Sequence, residues 1–181
     1  MYEDLIKSIK GYDSVDKRYL ARCIRELKRW NAPLSGWVCV EITDAMEDND
    51  DDGFSECELC GCKKVRYEHL MEHCDFPFPI VTGCICAGIM SGDILKAQED
   101  EKRVRNRSKR RRHFATKKWK QTSWGAYTRR YKYQDILIAE TNGLYTVCVG
   151  DTAVSKYKGR PIDNLLSAGY AAFDIIDPPK R

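Results

Sequence analysis

Three cysteines fall within six positions in the stretch ECELCGC, Glu56 to Cys62. Two thiolates separated by two residues, Cys57 and Cys60, make half of a tetrahedral zinc site, and Gly61 lets the chain turn under the metal. Zinc needs four ligands, so a second pair must arrive from elsewhere. Cys84 and Cys86, in VTGCICAGIM, are the candidates, with His73 and then His69 as substitutes and Cys62 and Cys74 behind them. The expected site is therefore Cys57, Cys60, Cys84 and Cys86 on one Zn²⁺.

The segments between the pairs, VRYEHLMEH and FPIVTG, read as two short strands. A knuckle, a hairpin and then ligands at the entry to a helix is the treble-clef order of elements. A helix N-terminus also helps to hold thiolates deprotonated. The second pair departs from the usual spacing, because only one residue separates Cys84 from Cys86. Two such thiolates cannot share an ion from regular helix, which places Cys84 on the preceding strand or turn. A closed four-ligand site contributes to folding rather than to catalysis.

Other cysteine chemistries fit less well. The count of nine is odd, six of the nine lie between Cys57 and Cys86, and MYEDLIKSIK carries acids where an export signal carries none. A metal site in a reducing compartment is expected rather than a disulfide framework. This places the chain in the cytoplasm, or in a nucleus if the host has one. Asp48, Asp50, Asp52 and Gly53 satisfy the start of a calcium loop, but its twelfth position is Leu59 instead of a bidentate Glu. The acidic run then reads as a linker. No run reaches the roughly 20 apolar residues of a membrane span. No Gly-rich phosphate loop or nucleophile elbow is present either.

The motifs CELCG, VRYEHLMEH and VTGCICAGIM together resemble a group of small bacterial and phage zinc proteins. That group shares a C-x-x-C-G knuckle, an R-Y-x-H-x-M-x-H strand and a V-G-C-x-C-A turn into a helix. The resemblance covers roughly residues 57–177 and implies a zinc-binding, nucleic-acid-related protein with no established activity. It also implies a basic helix, a Trp-bearing connector and a small sheet-plus-helix module downstream. One departure is Cys74, where the group tends to place Pro.

The net charge of +4 hides a block: residues 102–134 hold fourteen Lys or Arg and no acid, leaving 17 basic and 27 acidic residues elsewhere. Eight bases in the eleven residues from Lys102 to Arg112 surround a helix with charge. Aromatic residues interleave with the bases that follow. Cations neutralise phosphates and aromatic faces stack on unpaired bases. The expected contacts are Arg103, Arg105, Arg107, Lys109, Arg110, Arg111, Arg112, Lys117, Lys118, Trp119 and Lys120. Phosphate contacts carry no sequence choice, so binding to DNA or RNA is expected without specificity. The plainer reading of Trp119 and Trp124 is that one or both anchor the connector to a sheet.

The elements that must position these residues make an α+β chain. Apolar positions from Tyr19 to Trp30 recur at helical spacing, with Asp13 or Ser14 as N-cap. Cys23 sits on that stripe as a small core residue. GWVCVEI alternates as a strand, with Cys39 packed. A helix starts near Asp93 and becomes basic. DILIAET and LYTVCV form a hairpin around Asn142-Gly143, with Cys148 packed. A third strand covers 153–157, and a last helix runs from about Asp163 to Ile176. The expected organisation is an N-terminal helical region and strand (1–46), an acidic linker (47–56), a zinc module (57–101), a basic helix and connector (102–134) and a small sheet-plus-helix domain (135–181). Zinc-stabilised nucleic-acid binding is the expected function. A phage or host-defence regulator acting on a protein partner is the alternative. The third reading is a degenerate HNH-like nuclease using Glu68-His69, which lacks the later Asn and helical His.

Overall fold

Asp16 starts the helix that carries the first buried stripe. Its carboxylate accepts the backbone N–H groups of Arg18 and Tyr19 at 2.8 and 3.1 Å, satisfying donors that the first turn leaves free. The cap thus falls two or three residues after the expected Asp13 or Ser14, which lie in a 3₁₀ turn, Tyr12–Ser14. The structure is a computed structural model that describes residues 2–47 and 53–179. Half of the acidic linker, residues 48–52 with the calcium-loop positions Asp48, Asp50 and Asp52, lies outside the described residues. The fold is α+β, and the chain divides into two units between Ser108 and Lys109.

The first unit begins with α1 (Tyr2–Ser8) and α2 (Lys17–Arg29), whose Leu20, Cys23, Ile24 and Leu27 are buried. Strands β1 (Val38–Asp44), β2 (Tyr67–Glu72) and β3 (Ile80–Thr82) form an antiparallel sheet with β2 in the middle. Alternation along β2 buries Tyr67, His69 and Met71 on one face. Helix α3 (Cys84–Ser91) covers this sheet, and α4 (Ile94–Thr116) follows, its Asp93 carboxylate accepting the N–H of Lys96 at 2.9 Å. Leu20, Cys23, Leu27, Trp37, Met71 and Ile89 belong to the shared core. Cys39, expected to pack, is exposed.

The second unit takes the end of α4 and a five-stranded antiparallel sheet in the order β4 (Lys120–Gln121), β5 (Tyr127–Tyr131), β6 (Gln134–Thr141), β7 (Leu144–Val149) and β8 (Thr152–Val154). Asn142 and Gly143 both have positive φ, 54° and 78°, the backbone a type I′ turn requires. A short pair, β9 (Lys156–Tyr157) and β10 (Arg160–Pro161), leads to α5 (Leu165–Ile176). Ile136, Ile138, Val147 and Val149 pack with Ala168, Ala172 and Phe173 of α5. Leu137, Ala139, Thr146 and Cys148 alternate to the opposite side of the sheet.

The five-stranded sheet has two more strands than the hairpin and third strand expected, and β9 and β10 pair apart from it. β4 and β5 come from the segment read as a connector. Arg129 hid the alternation of β5, because it shares the inner face with Tyr127 and Tyr131. Its guanidinium stacks 4.0 Å from the Trp119 ring and donates to the carbonyls of Phe114, Lys117 and Lys118. It thereby caps the C-terminal end of α4. Among the described residues, no helix is long and apolar enough to cross a membrane.

Arg111 is only 2% exposed. It donates to Asp174 at 3.2 Å and to the Tyr157 hydroxyl, and lies 4.0 Å from the Tyr170 ring. Replacing one partner of a buried pair strands the other's charge. Arg111→Met is therefore expected to lower stability by about 3 kcal/mol in urea unfolding, whereas Lys109→Met, at an exposed position, should change it by less than about 0.5 kcal/mol.

Candidate metal centre and basic groove

The knuckle is built by backbone before any sulfur is considered. Ser55 and Val65 exchange backbone hydrogen bonds of 2.8 and 3.0 Å, closing the loop at its base. Inside it, the N–H of Gly61 donates to the Cys57 carbonyl at 2.7 Å and that of Cys57 to the Cys62 carbonyl at 2.8 Å. Gly61 has φ of 70°, a left-handed conformation that side chains with a Cβ resist. The N–H of Glu58 donates to the Val81 carbonyl at 3.0 Å, and the Glu58 carboxylate accepts the N–H of Val81 at 2.5 Å. The knuckle is thus fixed to β3, one residue beyond which the chain turns into α3.

The sulfurs of Cys57, Cys60 and Cys86 lie within 4.8 Å of one another. The fourth sulfur is that of Cys23 on α2, 4.0 Å from Cys86 Sγ. Sulfurs around one zinc ion at about 2.3 Å stand about 3.8 Å apart; Cys57, Cys60 and Cys86 stand close enough together to share an ion, and Cys23 approaches that group at Cys86. Cys84 belongs elsewhere. It opens α3 in helical conformation, two residues from Cys86, and a separation of two turns side chains about 200° apart on a helix. Cys23, read from the sequence as a core residue, is buried in the core and is also the candidate fourth donor which that reading did not consider. Its place on the apolar stripe of α2 gave no signal, because a thiol and a small apolar side chain fit such a stripe equally well.

Four thiols so close cannot all ionise alone. Hydrogen bonding to Cys86 holds Cys23 and Cys57 below their ordinary values and Cys60 at about 4. The same three contacts, with burial behind them, push Cys86 up. A divalent cation removes this conflict by letting all four thiolates exist together. Tyr19 Oη lies 3.0 Å from Cys86 Sγ, and the Arg22 guanidinium donates to the Cys60 carbonyl at 3.3 Å. Both place positive or hydrogen-bonding character against the sulfurs, as outer partners of a metal site do. Cys62 and Cys74 are exposed and outside the cluster.

Two further donor groups occur among the described residues. His69, Cys84 and Glu101 converge within 4.8 Å, and so do the sequence neighbours His73, Cys74 and Asp75. His73 stacks against Trp37 with ring centroids 5.5 Å apart, and its Nδ1 accepts the N–H of Asp75 at 3.0 Å. Neither histidine substitutes for a sulfur at the Cys57 cluster. Burial holds His69 below its ordinary value, against the pull of Glu101 and of the Tyr67 and Ala97 carbonyls. Burial, then Glu101, push Cys84 up to about 12.

The basic block separates into three kinds of residue. Arg103 pairs with Glu99 at 2.5 Å, Arg105 with Glu101 at 2.5 Å and Arg107 with Glu47 at 3.6 Å. Arg110 pairs with Asp177 at 3.0 Å. Arg111 is buried as described, and Trp119 is 8% exposed, edge-on to Phe114. These two face the interior of their unit rather than solvent. Lys109, Arg112, Lys117, Lys118 and Lys120 are exposed, and no ion pair joins them to a carboxylate among the described residues. A groove of about 1350 Å³ in this unit is lined by Lys117, Lys118 and Lys120 with Arg110, Arg130 and Tyr133. Tyr133 is 93% exposed and Trp124 65%. Arg130 and Tyr133 were not named as site residues from the sequence, because nothing in the connector marked it as strand.

Cys23→Ser and Cys60→Ser are expected to release the ion of this cluster, read as the loss of one metal per chain after dialysis and of the four-thiolate charge-transfer absorption of the cobalt form. Cys62→Ser and Cys84→Ser should keep that absorption. Binding must displace thiol protons, so acidification should release the ion.

Comparison with protein-family models, curated proteins and solved structures finds no match to this chain.

Proposed function

We propose that this is a nucleic-acid-binding protein whose first unit is stabilised by one structural Zn²⁺ on Cys23, Cys57, Cys60 and Cys86. The observation that carries the binding reading is the set of cations around the groove of the second unit that have no ion-pair partner among the described residues. A cation already held by a carboxylate gains little from a phosphate, whereas Lys117, Lys118 and Lys120 are free to neutralise one and release counterions. The groove also offers Tyr133 as an exposed aromatic face, on which an unpaired base can stack. The sheet side carrying Leu137, Ala139, Thr146 and Cys148 presents small side chains beside this basic rim.

A cleavage role has less behind it. The Glu68 carboxylate accepts the hydroxyls of Thr43, at 2.9 Å, and Ser55, and His69 is fully buried. The pair expected to activate water is therefore neither free nor accessible.

Binding of labelled random single strands and duplexes, measured by fluorescence anisotropy over a series of salt concentrations, tests the reading. The logarithm of affinity should fall linearly with the logarithm of salt, by about 0.7 to 0.9 for each phosphate neutralised. Replacing Lys117, Lys118 and Lys120 together with Gln should flatten the slope by about two to three. Arg103→Gln, at a residue already paired, should leave it unchanged. An affinity indifferent to salt, or a slope unaltered in the triple variant, rules the proposal out.

A further inference from the structure

The cysteine that the four-sulfur centre leaves out is not idle. The geometry points to a second metal site in the first unit, where His69, Cys84 and Glu101 hold a divalent cation of the zinc class with water in the remaining position. It stands independently of the nucleic-acid reading and of the four-sulfur centre.

The three donors arrive from three elements, β2, α3 and α4, and their ligand atoms lie within 4.8 Å of one another. His69 is 0% exposed. Its Nδ1 lies 3.2 Å from the Tyr67 carbonyl, which fixes the tautomer with the proton on Nδ1 and the lone pair on Nε2. Nε2 makes no hydrogen bond of good geometry, although the Ala97 carbonyl also acts on the ring. A ring oriented through one nitrogen by a backbone carbonyl, with the other left open, is how metal-ligating histidines are held.

Thr82 stands directly opposite His69 in the β2–β3 register, so both side chains leave the same face of the sheet. It too is 0% exposed, and its Oγ1 also lacks a partner. Unsatisfied polar atoms buried this deeply are rare in native structures, and here two sit side by side facing a thiol and a carboxylate. A cation accounts for both: Nε2 becomes a ligand, and the threonine hydroxyl donates to the ligand sulfur or to the bound water. Glu101 is prepared in the same way. One of its oxygens accepts from Arg105 at 2.5 Å, leaving the other for the ion, and Arg105 is itself held over the Tyr67 ring.

The donor set selects the metal class. One nitrogen, one sulfur and one oxygen suit zinc and its neighbours, whereas calcium and magnesium require shells of oxygen. Cys84 and Cys86 then serve two ions from opposite sides of the first turn of α3, which is why a spacing too short for one shared ion occurs there.

Metal per chain, measured by mass spectrometry on the full-length protein after saturation with Zn²⁺ and removal of the excess, tests this, alongside Co²⁺ titrations. The expected result is two ions per chain in the natural sequence, and one in His69→Ala and Cys84→Ser with the four-thiolate cobalt absorption intact. Glu101→Gln preserves size near the surface and should weaken the second ion by at least about tenfold. A single ion per chain with the four-thiolate spectrum overturns the proposal. So do two ions held with unchanged affinity in Glu101→Gln. A single ion lacking that spectrum and lost in His69→Ala would support this site and refute the four-sulfur centre.

Discussion

Three sulfurs, of Cys57, Cys60 and Cys86, gather in the first unit with that of Cys23 4.0 Å from Cys86, and as thiolates they repel one another unless a cation sits among them. Cys23 comes from a helix, Cys57 and Cys60 from a backbone-closed loop, and Cys86 from the start of another helix. The interior that surrounds them is built to hold that meeting. The knuckle is fastened to β3 through Glu58, so the loop and the helix that follows β3 cannot drift apart. Tyr19 and Arg22, on the helix that brings Cys23, touch the same sulfurs and the Cys60 carbonyl. A metal held at this cluster would couple its binding to folding of the unit, because the apolar core packs around the cysteines rather than apart from them.

The second unit holds itself together by other means. Its core contains no cysteine, and two arginines replace the staple. Arg111 bridges Asp174 and Tyr157 at the side of α5, and Arg129 closes the end of α4 from a neighbouring strand. Both consume charge that a count of residues assigns to the surface. What remains after these internal uses, and after the ion pairs along α4, is a short set of exposed bases, of which Lys117, Lys118 and Lys120 line the groove. A dense cationic block is thus mostly self-satisfied, and its capacity for an anionic partner lies in the fraction left over.

Much of this was legible in local pattern. The knuckle, the strands on either side of it, the hairpin at Asn142-Gly143 and the helix after Asp93 each obey a rule of short range: ligand spacing, alternation, turn chemistry or capping. Other features could not be read that way. Arg129 lies among inward-facing aromatic residues and broke the alternation that marks a strand, so β5 passed as a connector. Asp13 and Ser14 are as good caps as Asp16, and only the course of the chain into α2 selects between them.

The cysteines divide along the same line. The sequence by itself determined that Cys57 and Cys60 stand together, because two-residue spacing and a glycine act within one loop. Whether Cys84 or Cys23 approaches Cys86 was decided by tertiary structure alone. Helical phase at α3 turns Cys84 away from Cys86 and toward His69 and Glu101, while the packing of α2 on α3 delivers a sulfur from more than sixty residues upstream. Spacing records what neighbours in the chain can do, and ligands brought together by packing leave no such record.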